Sequence, residues 1–90
     1  MRFAWDAKKA AKNFRKHKIS FHEAATVFRD TLSMTGLDPD HSIGEDRFVT
    51  FGMSEKGRLL VVSHSDKDGS IRIISARIAT KCERRIYEEG

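Results

Sequence analysis

The stretch from Phe48 to Ile78 reads FVTFGMSEKGRLLVVSHSDKDGSIRIISARI, and its patterning decides the fold. Apolar and polar side chains alternate in three runs, Phe48 to Met53, Leu59 to Ser65 and Ile71 to Ile78, which is the two-residue period of half-buried strands. Ser54-Glu55-Lys56-Gly57 and Asp66-Lys67-Asp68-Gly69 separate the runs, and each reads as a four-residue hairpin connection ending in glycine. The spacing therefore predicts an antiparallel meander. With connections of that length, Phe51 faces Leu60 and Val62 faces Ile73. One surface of the sheet then carries Val49, Phe51, Met53, Leu60, Val62, Ile71 and Ile73, and is expected to meet the helices. The other carries Phe48, Thr50, Gly52, Val61, Ser63, Arg72, Ile74 and Ala76, a smaller and more polar set suited to line a cleft.

Upstream of the strands the period lengthens to that of a helix. After a short apolar start at Phe3 to Trp5, Asp6 reads as the N-cap of a helix running to about Lys18. Ala7, Ala10, Ala11 and Phe14 fall on one stripe, with Lys8, Lys12, Arg15 and Lys16 on the other side, and the small alanines imply close packing. Ser20 and Glu23 read as a capping box that opens a second helix with Phe21, Ala24, Ala25 and Phe28 as its stripe. From Leu32 the period changes to two, and Asp38-Pro39-Asp40-His41 marks a loop. Thr80 and Glu83 form another capping box, starting a terminal helix through Tyr87 and Glu88. Cys82 and Ile86 lie on its apolar side, while Thr80, Glu83, Arg84 and Tyr87 share a neighbouring face. Two helices, an antiparallel meander and a terminal helix make an α+β fold. No repeat, low-complexity tract or linker divides it, so residues 1–90 read as a single domain.

A chain of 90 residues buries only about 60–65% of the surface its unfolded form exposes, so the core is small. Apolar residues are 39% and charged residues 33% of the chain, against about 45–50% and about 25% in an average domain. The longest apolar runs, Leu59-Leu60-Val61-Val62 and Ile73-Ile74, fall far short of the roughly 20 residues a bilayer helix needs. With no apolar run of signal-peptide length at the start, the expected location is the cytoplasm. One cysteine, Cys82, provides neither an internal disulfide nor paired thiolates for zinc. The net charge of +4 is unevenly spread. Residues 1–19 carry seven cations against Asp6, residues 30–69 carry eight carboxylates against four cations, and the end is mildly basic again. Clustered Lys and Arg favour a polyanion partner through counterion release; a solvated helix face is the plainer account of the same charges.

Several segments, at consistent separations, carry a family resemblance. Phe3-Ala4-Trp5-Asp6, Asn13-Phe14-Arg15-Lys16-His17, Ile19 through Phe28, Asp38-Pro39-Asp40-His41-Ser42, Gly44-Glu45-Asp46-Arg47 and Ile71 through Arg77 resemble the BrnT toxins of bacterial toxin–antitoxin systems, nearly end to end. The resemblance implies a RelE-like ribonuclease fold, messenger RNA as substrate, and neutralisation by a BrnA-type antitoxin that also binds operator DNA, in a hetero-oligomeric complex. Ile78 and Cys82 stand where the family pattern is usually basic.

The reaction that the resemblance implies is attack of a ribose 2′-hydroxyl on the adjacent phosphate. It needs a proton acceptor, cations for the phosphorane and a donor for the leaving oxygen, and no metal or other cofactor is expected. His64, Glu83 and Tyr87 are the candidate proton handlers, with the division into base and acid left open. Arg72, Arg77 and Arg84 can hold phosphate through forked donors. On the assumed register His64 lies opposite Arg47 and Ile71 on the helix-packed side, whereas Arg72 lies on the open side, so both cannot easily face one cleft. The expected cleft therefore joins Arg72 to the terminal helix, with Arg77 at the strand end beside it. Each candidate has a plainer role: His64 as a hydrogen-bonded structural residue, Glu83 as a cap, Tyr87 as cover for the core, Arg77 and Arg84 as surface ion pairs, and Trp5 as a core aromatic. Lys8, Lys12, Arg15 and Lys16, with Arg47, are expected to bind RNA or antitoxin. Two rival readings remain: a metal site at Asp38, Asp40 and His41, and a non-catalytic module that binds nucleic acid or a partner through the basic first helix.

Overall fold

Local capping chemistry sets the helix boundaries. In the computed structural model, which describes residues 2–38 and 47–90, Asp6 Oδ1 accepts the Lys8 and Lys9 N–H groups at 2.8 and 3.1 Å. It thereby opens α1, Ala7–His17. Lys18 ends α1 in the left-handed conformation, φ 60°, and donates its N–H to Phe14 O. Ser20 Oγ accepts the Glu23 N–H and opens α2, Phe21–Thr26, which runs into a 3₁₀ turn at Val27–Arg29. Only this half of the expected Ser20/Glu23 box is used for capping, because the Glu23 carboxylate turns inward to Arg58 and Ser54. At α3, Lys81–Glu89, both halves are present: Thr80 Oγ1 accepts Glu83 N–H and Glu83 Oε1 accepts Thr80 N–H.

Five strands among the described residues form one sheet, in the order β1 (Arg2–Ala4), β5 (Ser70–Ile78), β4 (Leu59–Lys67), β3 (Arg47–Met53), β2 (Met34–Leu37). The meander of β3 to β5 is antiparallel, as the period predicts, and β2 adds a further antiparallel strand beside β3. The apolar start is itself a strand, β1, and it pairs parallel to β5, so the sheet is mixed rather than a pure meander.

Register departs from the expectation in two places. The β3–β4 connection spans residues 54–58, with Ser54 N–H bonded to Arg58 O, so Phe51 pairs with Val61 and Gly52 with Leu60. A one-residue slip exchanges the faces of a strand. Thr50 and Gly52 therefore face the helices, while Val49, Phe51 and Met53 face away. The fit at Gly52 is tight: a Cβ there would lie 2.6 Å from Val27 Cγ1 and 3.2 Å from Val27 O. The β4–β5 turn is the two-residue Asp68-Gly69, at φ 52° and 79°, the doubly positive geometry that matches strand twist. A register shift between Ser63 and His64 then makes Ile74 an extra residue, so that Val62 pairs with Ala76 and not with Ile73. Such bulges re-aim side chains. Ile73 and Ala76 both face inward, and Arg77 is turned to the open face opposite Val61.

The core lies between the helices and one face of the sheet. Ile19, Phe21, Ala24 and Val27 meet Leu60, Val62, Ile73 and Ala76, with Phe3, Trp5, Ala10 and Phe28 around them. Each larger side chain buried here contributes about 1.5–3 kcal/mol. The expected alanine stripe of α1 does not make this contact as a whole. Ala10 packs against the core, Ala7 and Ala11 are exposed, and Phe14 is half exposed. The residue α1 buries is Asn13. On α3, Cys82 and Ile86 are exposed, contrary to the expected apolar side, and the half-buried pair is Glu83 and Tyr87.

Candidate functional site

The face of the sheet away from the helix layer holds a cleft of about 530 Å³. Met34, Val49, Phe51 and Val61 line it with apolar surface, Ser63 and Ser75 supply hydroxyls, and Arg77 and Glu83 stand together at one side. The slip at β3 makes this wall more apolar than expected, since Val49 and Phe51 replace Phe48, Thr50 and Gly52. The bulge in β5 puts Arg77 here, and the capping box of α3 puts Glu83 opposite it.

Arg77 Nη1 and Nη2 donate to Glu83 Oε1 and Oε2 at 2.7 and 2.8 Å. This forked geometry is the stronger form of an ion pair. The guanidinium, helped by Thr80 N–H, holds the Glu83 carboxyl down to about 2 against the opposing effect of burial. The same contact raises Arg77. Glu83 is consequently a carboxylate at any ordinary pH. While it is paired it is a weak proton acceptor, and it orients the guanidinium.

One turn along α3, Tyr87 donates its hydroxyl proton to Asp30 Oδ2 at 2.5 Å. Asp30 Oδ2 also accepts Met53 N–H, and its Oδ1 accepts Leu32 N–H. Burial opposes the charge on Asp30, but the bonds from Tyr87, Met53 and Leu32 outweigh it and hold this carboxyl below its usual range. The Asp30 contact, with some burial, raises Tyr87, so the phenol keeps its proton. Asp30 was not anticipated from sequence. Its one local signal is a carboxylate two residues before a free N–H, the pattern of an Asx turn.

The other candidates lie elsewhere. His64 is on the helix side, 2% exposed, opposite Phe48 and Ile73 rather than Arg47 and Ile71. The rings of Phe28 and Phe48 flank it at 4.9 and 5.8 Å. Its Nε2 is 2.8 Å from Thr50 Oγ1 and its Nδ1 is 3.5 Å from Asp66 Oδ1. Burial lowers its pKa, and Asp66 opposes that shift. The sheet thus separates His64 from Arg77 and Glu83. Arg72 is exposed on the open face, beside Ser65 and Ala4, and is not part of the cleft wall. Arg84 is exposed on α3.

Lys8, Lys12, Arg15 and Lys16 are exposed on α1, across the sheet from the cleft. Arg47 begins β3 and is half buried. Of the rival metal cluster, Asp40 and His41 lie outside the described residues. Among the described residues no His, Cys, Asp and Glu side chains group as a metal site, and no helix is long and apolar enough to cross a membrane.

In overall shape the chain is similar to the crystal structure of the Brucella abortus ribonuclease toxin BrnT. The two share 24% identity and a TM-score of 0.68 over 90% of this chain and 99% of that one. No curated protein matches the chain. The family described as ribonuclease toxin, BrnT, of type II toxin–antitoxin systems matches residues 5–83. That span runs from Trp5 beside the N-cap of α1, through every strand of the meander, to Glu83 in the cleft, and on it the chain belongs to the BrnT family of ribonuclease toxins.

Proposed function

We propose that the protein is an endoribonuclease with a RelE-like arrangement. In this reading it cuts messenger RNA in the cleft by metal-independent 2′-hydroxyl attack, acts in the cytoplasm, and is neutralised by a BrnA-type antitoxin that carries operator DNA binding in a hetero-oligomeric complex. The observation that carries the reading is the forked Arg77–Glu83 pair beside the capped start of α3.

A phosphate arriving in the cleft competes with Glu83 for the Arg77 fork. Once the guanidinium turns to phosphate, Glu83 loses the contact that depresses it, and its basicity rises toward that of an ordinary carboxylate. It then accepts the 2′-hydroxyl proton as the 2′-oxygen bonds to phosphorus. The bond from phosphorus to the 5′-oxygen breaks, giving a 2′,3′-cyclic phosphate and a 5′-hydroxyl. Arg77 stabilises the phosphorane charge. Tyr87, four residues along the same helix face and protonated, is the donor for the leaving oxygen once its hydroxyl turns from Asp30 to the RNA, and Arg84 on the exposed side of α3 holds flanking phosphate. His64, buried on the far side of the sheet, takes no part in this reading, and Arg72, exposed on the open face beyond the cleft lining, is left as a contact for more distant phosphate.

Arg77→Ala is expected to lower cleavage of a defined RNA by about 10²–10³-fold, the usual cost of one lost donor to a developing oxyanion. Chelator is expected to leave the wild-type rate unchanged and the products to end in cyclic phosphate. Undiminished cleavage by folded Arg77→Ala, or loss of activity in chelator, overturns the assignment.

A further inference from the structure

We propose that the groove between α1 and the start of α2 is a docking site for an acidic amphipathic helix of a partner protein. The groove, about 470 Å³, is lined by Trp5, Ala10, Ala11, Phe14 and Phe21, with Arg15 at its rim. The inference rests on the proposed function only in that the protein has a protein partner, and it does not depend on how RNA is cut.

Asn13 clamps α1 to β5 through its side-chain amide, bonded to the Ala76 backbone in both directions and to Ile19 O. That polar clamp, rather than the alanine stripe, fixes the helix. Ala7 and Ala11 of the stripe are left facing solvent, and Phe14 is 50% exposed. A floor of alanines allows a second helix to approach closely, and helix-in-groove recognition uses anchors at this spacing.

Charge complementarity selects the partner. Residues 7–19 contain six cations and no carboxylate. Lys8, Lys12 and Arg15 repeat at helical spacing and follow Ala11 around the helix at about 100° per residue, forming a basic ridge along the groove. A helix with apolar anchors and flanking Glu or Asp satisfies floor and ridge together. RNA satisfies only the ridge. The Trp5 ring is held at near right angles by Phe21 and His22, at 6.1 and 4.8 Å, which makes it a packed anchor and not a stacking platform. The groove also lies across the sheet from the cleft.

Trp5 is the only tryptophan of the chain, so its emission reports on the groove directly. The probes are an amphipathic peptide of about 18 residues, with Leu at helical spacing and Glu flanks, a scrambled peptide of the same composition, and an oligouridylate of matching charge. The amphipathic peptide is expected to shift Trp5 emission saturably, with affinity falling as salt rises, and to bind at least about tenfold tighter than the scramble. Ala11→Glu, a surface change to a good helix former, is expected to weaken it by a similar factor with an unchanged urea midpoint. Phe14→Gln serves as the second variant. Equal binding of the two peptides, no saturable shift, unaltered binding by both variants, or displacement of the peptide by oligouridylate each overturns the proposal. Because binding is read without cleavage, an inactive chain that binds the peptide contradicts only the nuclease assignment.

Discussion

Asn13 is 7% exposed and supplies three hydrogen bonds, at 2.9 to 3.1 Å, to the backbone of β5 and of the α1–α2 connection. In effect it extends the sheet's hydrogen bonding into a helix. Asn13→Ala takes the partner from the Ala76 N–H, the Ala76 carbonyl and the Ile19 carbonyl and is expected to cost at least about 3 kcal/mol, since each orphaned buried group costs about 1–3. Urea unfolding measures it. Asn13→Asp keeps the acceptor for Ala76 N–H but loses both donors and buries a charge, so it is expected to fall below the alanine variant. The reverse order would show that shape, not hydrogen bonding, sets the role of this side chain.

At the scale of elements, α3 has no fully buried residue. Two polar contacts a turn apart, Glu83 to Arg77 and Tyr87 to Asp30, tie it down. Glu83 has a folded pKa of about 2 against an ordinary 4.5. Its contact therefore contributes fully above about pH 4.5 and is lost as pH falls toward 2. Tyr87→Phe removes the other tie. Protection of the amides in α3, taken relative to the intrinsic exchange rate at each pH, is expected to fall in Tyr87→Phe, and further in acid, while those of β4 and β5 keep their protection. Faster exchange throughout the sheet would mean that α3 opens only with the whole domain.

Across the whole molecule, the buried Glu23 joins the helix layer to the β3–β4 connection through Arg58 and Ser54. The Arg58 contact outweighs burial and holds Glu23 ionised, below its usual range. Arg58→Ala strands a carboxylate whose side chain is 1% exposed, which is a strongly destabilising change. Adding Glu23→Gln to Arg58→Ala is expected to recover part of the loss by removing the stranded charge. Thermal unfolding of the two variants side by side checks it; a double variant weaker than Arg58→Ala would show that the carboxylate still has adequate partners without the arginine.

Elements that depend on short-range chemistry were legible in the sequence. The Asp6, Ser20 and Thr80 caps start helices where the residue types say they should, because capping is settled within four residues. The three strands of the meander follow from their period. Arg77 and Glu83 are candidates only through the family resemblance, since the strand end and the capping box by themselves explain a surface ion pair and a cap. Which way side chains point was not legible. A connection of five residues in place of four exchanged the faces of β3, and a bulge beside His64 reversed those of β5 beyond Ile74, because strand orientation alternates every residue and any odd insertion inverts it. Partners distant in sequence were equally hidden: Asn13 with Ala76, Asp30 with Tyr87, Glu23 with Arg58. The sequence by itself determined the elements and their order. Tertiary structure alone decided that Arg77 faces the cleft, that His64 is sealed behind the sheet and that Ala11 and Phe14 of α1 stay open, because each depends on register and on contacts closed across many residues.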